Sequence, residues 1–132
     1  MSTRTKTSLT TTSEILIPAM ISEPVSASAH PGSKLGLVIN NADNELITYL
    51  NTEQVYDRKN EGDPTFNDSV DLSSGLKHGH NSFVILGING GGPAHDVGRL
   101  TLDGKVLLSM TFGLPSTPNG VVASWVAEIT VS

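Results

Sequence analysis

From Lys34 onward, apolar residues recur with the two-residue period of β-strands rather than the 3.6-residue period of helices. "KLGLVIN" (34–40) stops at the turn cluster "NADN" and "ELITYLN" (45–51) follows, a pattern that predicts a hairpin. "TEQVYDRKN" (52–60) is the one stretch where a helical turn is expected, and "NEGDPTFND" (60–68) has neither period and reads as a long loop. "NSFVILGIN" (81–89) is a strand with two apolar faces, Phe83 and Ile85 on one and Val84, Leu86 and Ile88 on the other.

"RLTLDGKVLLSMTF" (99–112) carries the clearest hairpin signal, Asp103-Gly104 between β-forming flanks. A two-residue turn sets Leu102 opposite Lys105, Thr101 opposite Val106 and Leu100 opposite Leu107. Leu100, Leu102 and Leu107 then share one face, with Arg99, Thr101, Val106 and Leu108 on the other. In the last strand Val121, Ala123, Trp125, Ala127, Ile129 and Val131 form a core-facing series. Trp125 is therefore expected in the core.

Before Lys34 the pattern is weaker. Residues 1–13 are rich in Ser and Thr and predict a flexible arm that cannot repay its ordering entropy. "EILIPAMIS" (14–22) predicts an edge strand broken at Pro18, and "EPVSASAHPGS" (23–33) a linker. About seven short strands with regular turn signals predict an all-β, antiparallel sandwich of jelly-roll type, one domain over residues 14–132. Apolar residues on both faces of several strands point to a second layer or a second subunit, and so to a homo-oligomer.

The glycine run in "NGGGPA" (89–94) lacks the helix that a phosphate-binding loop requires, since Pro93 and a strand follow it. Its setting resembles another pattern. Asp71, Leu72 and Ser73, then Leu76, Lys77, Gly79 and Asn81, then an apolar strand ending at "NGGGPA", resemble a stretch of galactose-binding-like jelly-roll domains. The resemblance covers Val70–Ala94, with His78 where those domains commonly carry proline. It implies a jelly-roll fold and carbohydrate binding, although aromatic residues for sugar stacking are scarce here.

Charge narrows the partners. A net charge of −5 with only eight scattered Lys and Arg disfavours nucleic acid, whose binding rests on clustered cations. The absence of cysteine leaves stability to packing alone. No apolar run approaches the roughly 18 residues of a membrane span, and no signal-like apolar segment follows the N-terminal charges. A cytoplasmic protein, or one released without a Sec signal, is the expectation.

Eight acids against two bases make the segment from Asp43 to Asp71 strongly negative. Calcium takes six to eight oxygen ligands, and Asp57, Asp63 and Asp68 in "DRKNEGDPTFND" are its candidate ligands; the plainer reading is a solvated acidic loop. His78 and His80, two apart, offer a transition metal two ligands without an identifiable third. Tyr49 and Tyr56 pair an apolar ring with a hydroxyl, as sugar stacking requires. With Asp63, Asn67, Asp68, Asn89, His95 and Asp96 they form the candidate ligand-binding set. No nucleophile elbow or recognisable catalytic constellation is present. The leading expectation is a non-catalytic, lectin-like carbohydrate binder, with calcium optional. The rivals are a structural protein self-associating through apolar sheet faces and, third, a small β-fold enzyme.

Overall fold

The computed structural model describes residues 20–59, 65–90, 92–114 and 119–132. Ten strands run in chain order: β1 (Met20–Ile21), β2 (Val25–Ala29), β3 (Leu35–Ala42), β4 (Glu45–Leu50), β5 (Glu53–Lys59), β6 (Phe66–Asp71), β7 (Gly79–Asn89), β8 (Ala94–Leu102), β9 (Lys105–Leu114) and β10 (Gly120–Val131). One 3-10 turn, Ser73–Gly75, precedes β7. The expected all-β sandwich is present as two packed sheets. The first has the order β1-β10-β7-β4-β5, with β2 also pairing β10, and the second has the order β6-β3-β8-β9. The expected arm at residues 1–13 and the break at Pro18 lie outside the described residues.

The core lies between the sheets. Leu35, Leu37 and Ile39 of β3, Leu100 of β8 and Met110 of β9 meet Phe83 and Ile85 of β7 and Trp125 and Ile129 of β10, all buried. Trp125 is a core residue, as its alternation predicts.

Several local expectations are overturned. β3 and β4 are not a hairpin, because they belong to different sheets. Asn41 and Asn44 adopt positive φ, which asparagine tolerates better than most residues, and they carry the chain across the sandwich. The stretch expected to hold a helical turn is β5, which pairs with β4 through the tight Asn51-Thr52 turn. The described end of the expected long loop is β6, and the expected linker contains β2, parallel to β10.

The Asp103-Gly104 hairpin forms as expected, both residues at positive φ in the type I′ manner. Its register slips beyond Thr101, however. Leu100 pairs with Leu108 rather than Leu107, so Leu108 enters the core and Leu107 is only half-buried. A comparable bulge in β10 buries Val122 and turns Val121 outward. Burial of the larger apolar set decides both registers, which strict alternation cannot show.

Candidate functional site

At one end of the sandwich an open basin of about 570 Å³ is bounded by two loops. One wall is His30, Pro31, Gly32, Ser33 and Lys34, leading into β3; the other runs from Asp71 through Ser73 and Ser74 to Leu76, Lys77 and His78, and Val131 lies against both. Each wall is fixed by its own polar network. Ser33 is buried; its Oγ accepts the His30 N–H at 3.0 Å and donates to Asp103 Oδ2 at 2.8 Å. Asp103 Oδ1 accepts the Lys34 N–H at 2.8 Å, so the β8–β9 turn clamps the first wall. These bonds, the Lys34 amide first, hold the Asp103 carboxyl below the usual carboxylate range.

In the second wall, Asp71 accepts the Ser73 N–H at 2.9 Å, and Ser73 Oγ accepts the Leu35 N–H at 2.9 Å. The Ser73 hydroxyl and amide, with a smaller contribution from the Lys34 charge, hold Asp71 below its ordinary range. Asn81 fixes the far end. It is fully buried; its Oδ1 accepts the Lys77 N–H at 2.7 Å and the Asn51 amide at 2.9 Å, while its Nδ2 donates to the carbonyls of Lys77, Gly79 and Ile129. Five bonds from one side chain shape the 77–81 turn. The motif stretch that carries the galactose-binding-like resemblance thus builds one wall of the basin.

The lining mixes donor-bearing side chains, among them Lys34, Lys77 and His78, with the apolar Pro31, Leu76 and Val131. Lys34 and Lys77 form no ion pair within 4.0 Å with a described residue. The carboxylate oxygens nearby are engaged by the Ser73 and Lys34 amides and the Ser33 hydroxyl. His30 Nε2 lies 3.6 Å from Asp103 Oδ2. His78 and His80 part company at Gly79: His78 lines the basin, whereas His80 lies 2.7 Å from Glu128 on the sheet surface.

The residues singled out from sequence lie in three other places. Tyr56 and Asp68 close the edge between β5 and β6, the Tyr56 hydroxyl donating to Asp68 at 2.7 Å and Arg58 to the same oxygen at 2.9 Å. Arg58 also stacks over Phe66 at 5.3 Å. Burial, then the bond to Asp68 and its charge, push the Tyr56 hydroxyl above its ordinary value. For Asp68 burial acts upward, but the Tyr56 and Arg58 bonds and the Arg58 charge together outweigh it and the carboxyl lies low. Tyr56 is therefore an inter-sheet clasp with its ring half-buried, not an open platform.

Asp57 is exposed on β5 opposite Ile47, on a different sheet from Asp68, and Asp63 lies outside the described residues. The proposed ligands Asp57 and Asp68 thus stand on two strands rather than in one loop. Asn67 Oδ1 accepts the Asn41 N–H at 2.9 Å, and Tyr49 is half-buried on the outer face of its sheet. Asn89, His95 and Asp96 gather at the end opposite the basin. Asn89 is buried and donates to the Gly92 carbonyl at 3.1 Å; His95 is exposed, with Nδ1 2.9 Å from the Asn41 carbonyl oxygen.

Asp96 points inward against Gly87, where a Cβ would stand 2.5 Å from its Oδ2. Only 3% exposed, with Oδ1 lacking a hydrogen-bond partner among the described residues, its carboxyl is pushed up to about 7 by burial, with a smaller effect from Asp43.

Sequence reasoning missed the basin because its walls, His30–Lys34 and Asp71–His78, lie far apart in the chain and carry ordinary turn residues. The one available signal was the Asp71–Asn81 motif, read for its fold rather than its position. No helix among the described residues is long and apolar enough to cross a membrane. Compared with family models, curated proteins and solved structures, the chain matches none.

Proposed function

We propose that the protein is a non-catalytic carbohydrate-binding module of jelly-roll type, taking its sugar in the basin between the His30–Lys34 loop and the Asp71–His78 segment. The observation that carries this reading is the basin itself: open, of saccharide size, and lined by amine, imidazole, hydroxyl and carboxylate groups beside the apolar Pro31, Leu76 and Val131, with two internally braced loops as walls. Pre-formed loops spare a weak ligand the cost of ordering them. The jelly-roll assignment is supported by the connections among the described strands, which pass between sheets everywhere except at β1–β2, whose strands both pair with β10, and at the β4–β5 and β8–β9 hairpins. Thermal unfolding against a panel of neutral and acidic glycans, with calcium and then with chelator, tests it. A saturable rise with one sugar class, lost in Ser74→Trp, is the expected result, because a ligand bound only to the native state raises its apparent stability. No rise with any glycan under either condition overturns it.

A second reading, self-association, has its own support. The outer face of the β10-β7-β4 part of the first sheet presents registered rows: Ile47 beside Leu86, Tyr49 beside Val84 and Val126, and Ile88 beside Val121. No described strand covers that face. A second copy of the chain is the occupant this reading assigns to it.

A further inference from the structure

We infer that the basin selects acidic saccharides, those bearing carboxylate or sulfate groups, over their neutral counterparts; this rests on the carbohydrate-binding reading above. The argument is one of unspent donors. In a protein of net charge −5, Lys34, Lys77 and His78 line one concavity beside the Asp71 carboxylate, while His30 is turned to Asp103 and the Pro31 carbonyl. Asp71 in the lining directs an oxygen to the Ser73 amide, and Asp103 behind the first wall directs its oxygens to the Lys34 amide and the Ser33 hydroxyl; the Lys34 charge acts on both carboxylates only at a distance beyond a direct pair. The Lys34 and Lys77 ammonium groups keep three donors each and pair with no described carboxylate within 4.0 Å. Lys77 is held at its backbone by two Asn81 bonds, so the root of its side chain is fixed at the basin rim.

A ligand complementary to this surface supplies acceptors with negative charge, and the Ser74 hydroxyl suits its sugar hydroxyls. A neutral sugar offers acceptor oxygens but no negative charge to set against the ammonium groups. Charge-assisted bonds to lysine are the stronger kind, and in an open basin two of them together give roughly tenfold preference.

The test is direct binding by calorimetry of oligogalacturonate, a sulfated dextran fragment and unsulfated dextran of matched length, with sodium sulfate as a control for bare charge. Measurements on the wild type are repeated on Lys34→Gln/Lys77→Gln and on Lys59→Gln/Arg99→Gln, whose cations lie outside the basin. The expected result is about tenfold tighter binding of one or both acidic saccharides than of dextran, abolished in the first variant, retained in the second and weakened by salt. Equal binding of neutral and acidic saccharides overturns the inference while leaving the carbohydrate reading intact. Equal loss in both variants, or sulfate binding as tightly as the saccharides, overturns it as a non-specific charge effect. Binding of no saccharide at all removes the carbohydrate reading and the inference with it.

Discussion

Asp96 shows how one side chain sets a pH dependence for the whole fold. Its carboxyl stands at about 7 in the folded protein, against an ordinary aspartate value near 4 in the unfolded chain. The native state therefore binds this proton more tightly, and the Asp96 contribution to stability is greatest below about pH 4, falls as pH rises, and levels off above about 7. The loss across that window is on the order of 4 kcal/mol. Asp96→Asn, which cannot ionise, should be more stable than the wild type at pH 8 and close to it at pH 4.5. Urea denaturation at both pH values checks this, and a constant difference would show that Asp96 does not titrate in this window. Thr48 carries a smaller penalty, since its buried hydroxyl has no hydrogen-bond partner among the described residues. Thr48→Val keeps the shape and should raise stability by about 1 kcal/mol. Asn81 is the converse case. With five bonds made and no exposure, Asn81→Ala should cost about 3 kcal/mol or more, and it should also abolish glycan binding by releasing the Lys77 wall. Denaturation and calorimetry on the same variant read the two effects separately.

At the scale of elements, legibility followed the strength of local chemistry. Asp103-Gly104 could be read because a type I′ turn needs two residues at positive φ and this pair supplies them. Asn51-Thr52 makes the same kind of tight turn, but a β-branched threonine at φ 68° is no turn signal, so the stretch that forms β5 reads from sequence as a helical turn. Thr52→Gly should relieve that strain and stabilise the protein by about 1 kcal/mol, as measured by thermal or chemical denaturation. Two-faced apolarity in β7 was legible residue by residue, and Phe83 and Ile85 do face the core. Sheet membership was not. Whether Asn41 to Asn44 turns a chain back on itself or carries it across a sandwich depends on the partner strands, and Leu35 to Ile39 pair with β6 and β8, from distant parts of the sequence. The bulges at Leu107 and Val122 were equally hidden, because each is decided by which side chain the assembled core accepts.

For the whole molecule, the basin and the apolar sheet face occupy different surfaces, and that separation makes the two functional readings compatible. The basin opens at the end of the sandwich where β3 and β7 begin, whereas Ile47, Val84 and Leu86 lie on the broad outer face of the first sheet. Two copies joined by that face would leave both basins accessible, and linked sites raise avidity for a polymer without adding any contact to a single sugar. A stable interface of this kind buries about 800 Å² per partner, so the central rows would need the flanking strands as well. Placing a charge at the centre, as in Leu86→Lys, should then convert an associating species to monomer in sedimentation velocity. Its affinity for a short oligosaccharide should be unchanged, and its retention on an immobilised polysaccharide should fall by about tenfold or more. A wild type that sediments as a monomer at high concentration would remove the self-association reading. Equal retention of monomeric variant and wild type would show that the basin binds its ligand one copy at a time.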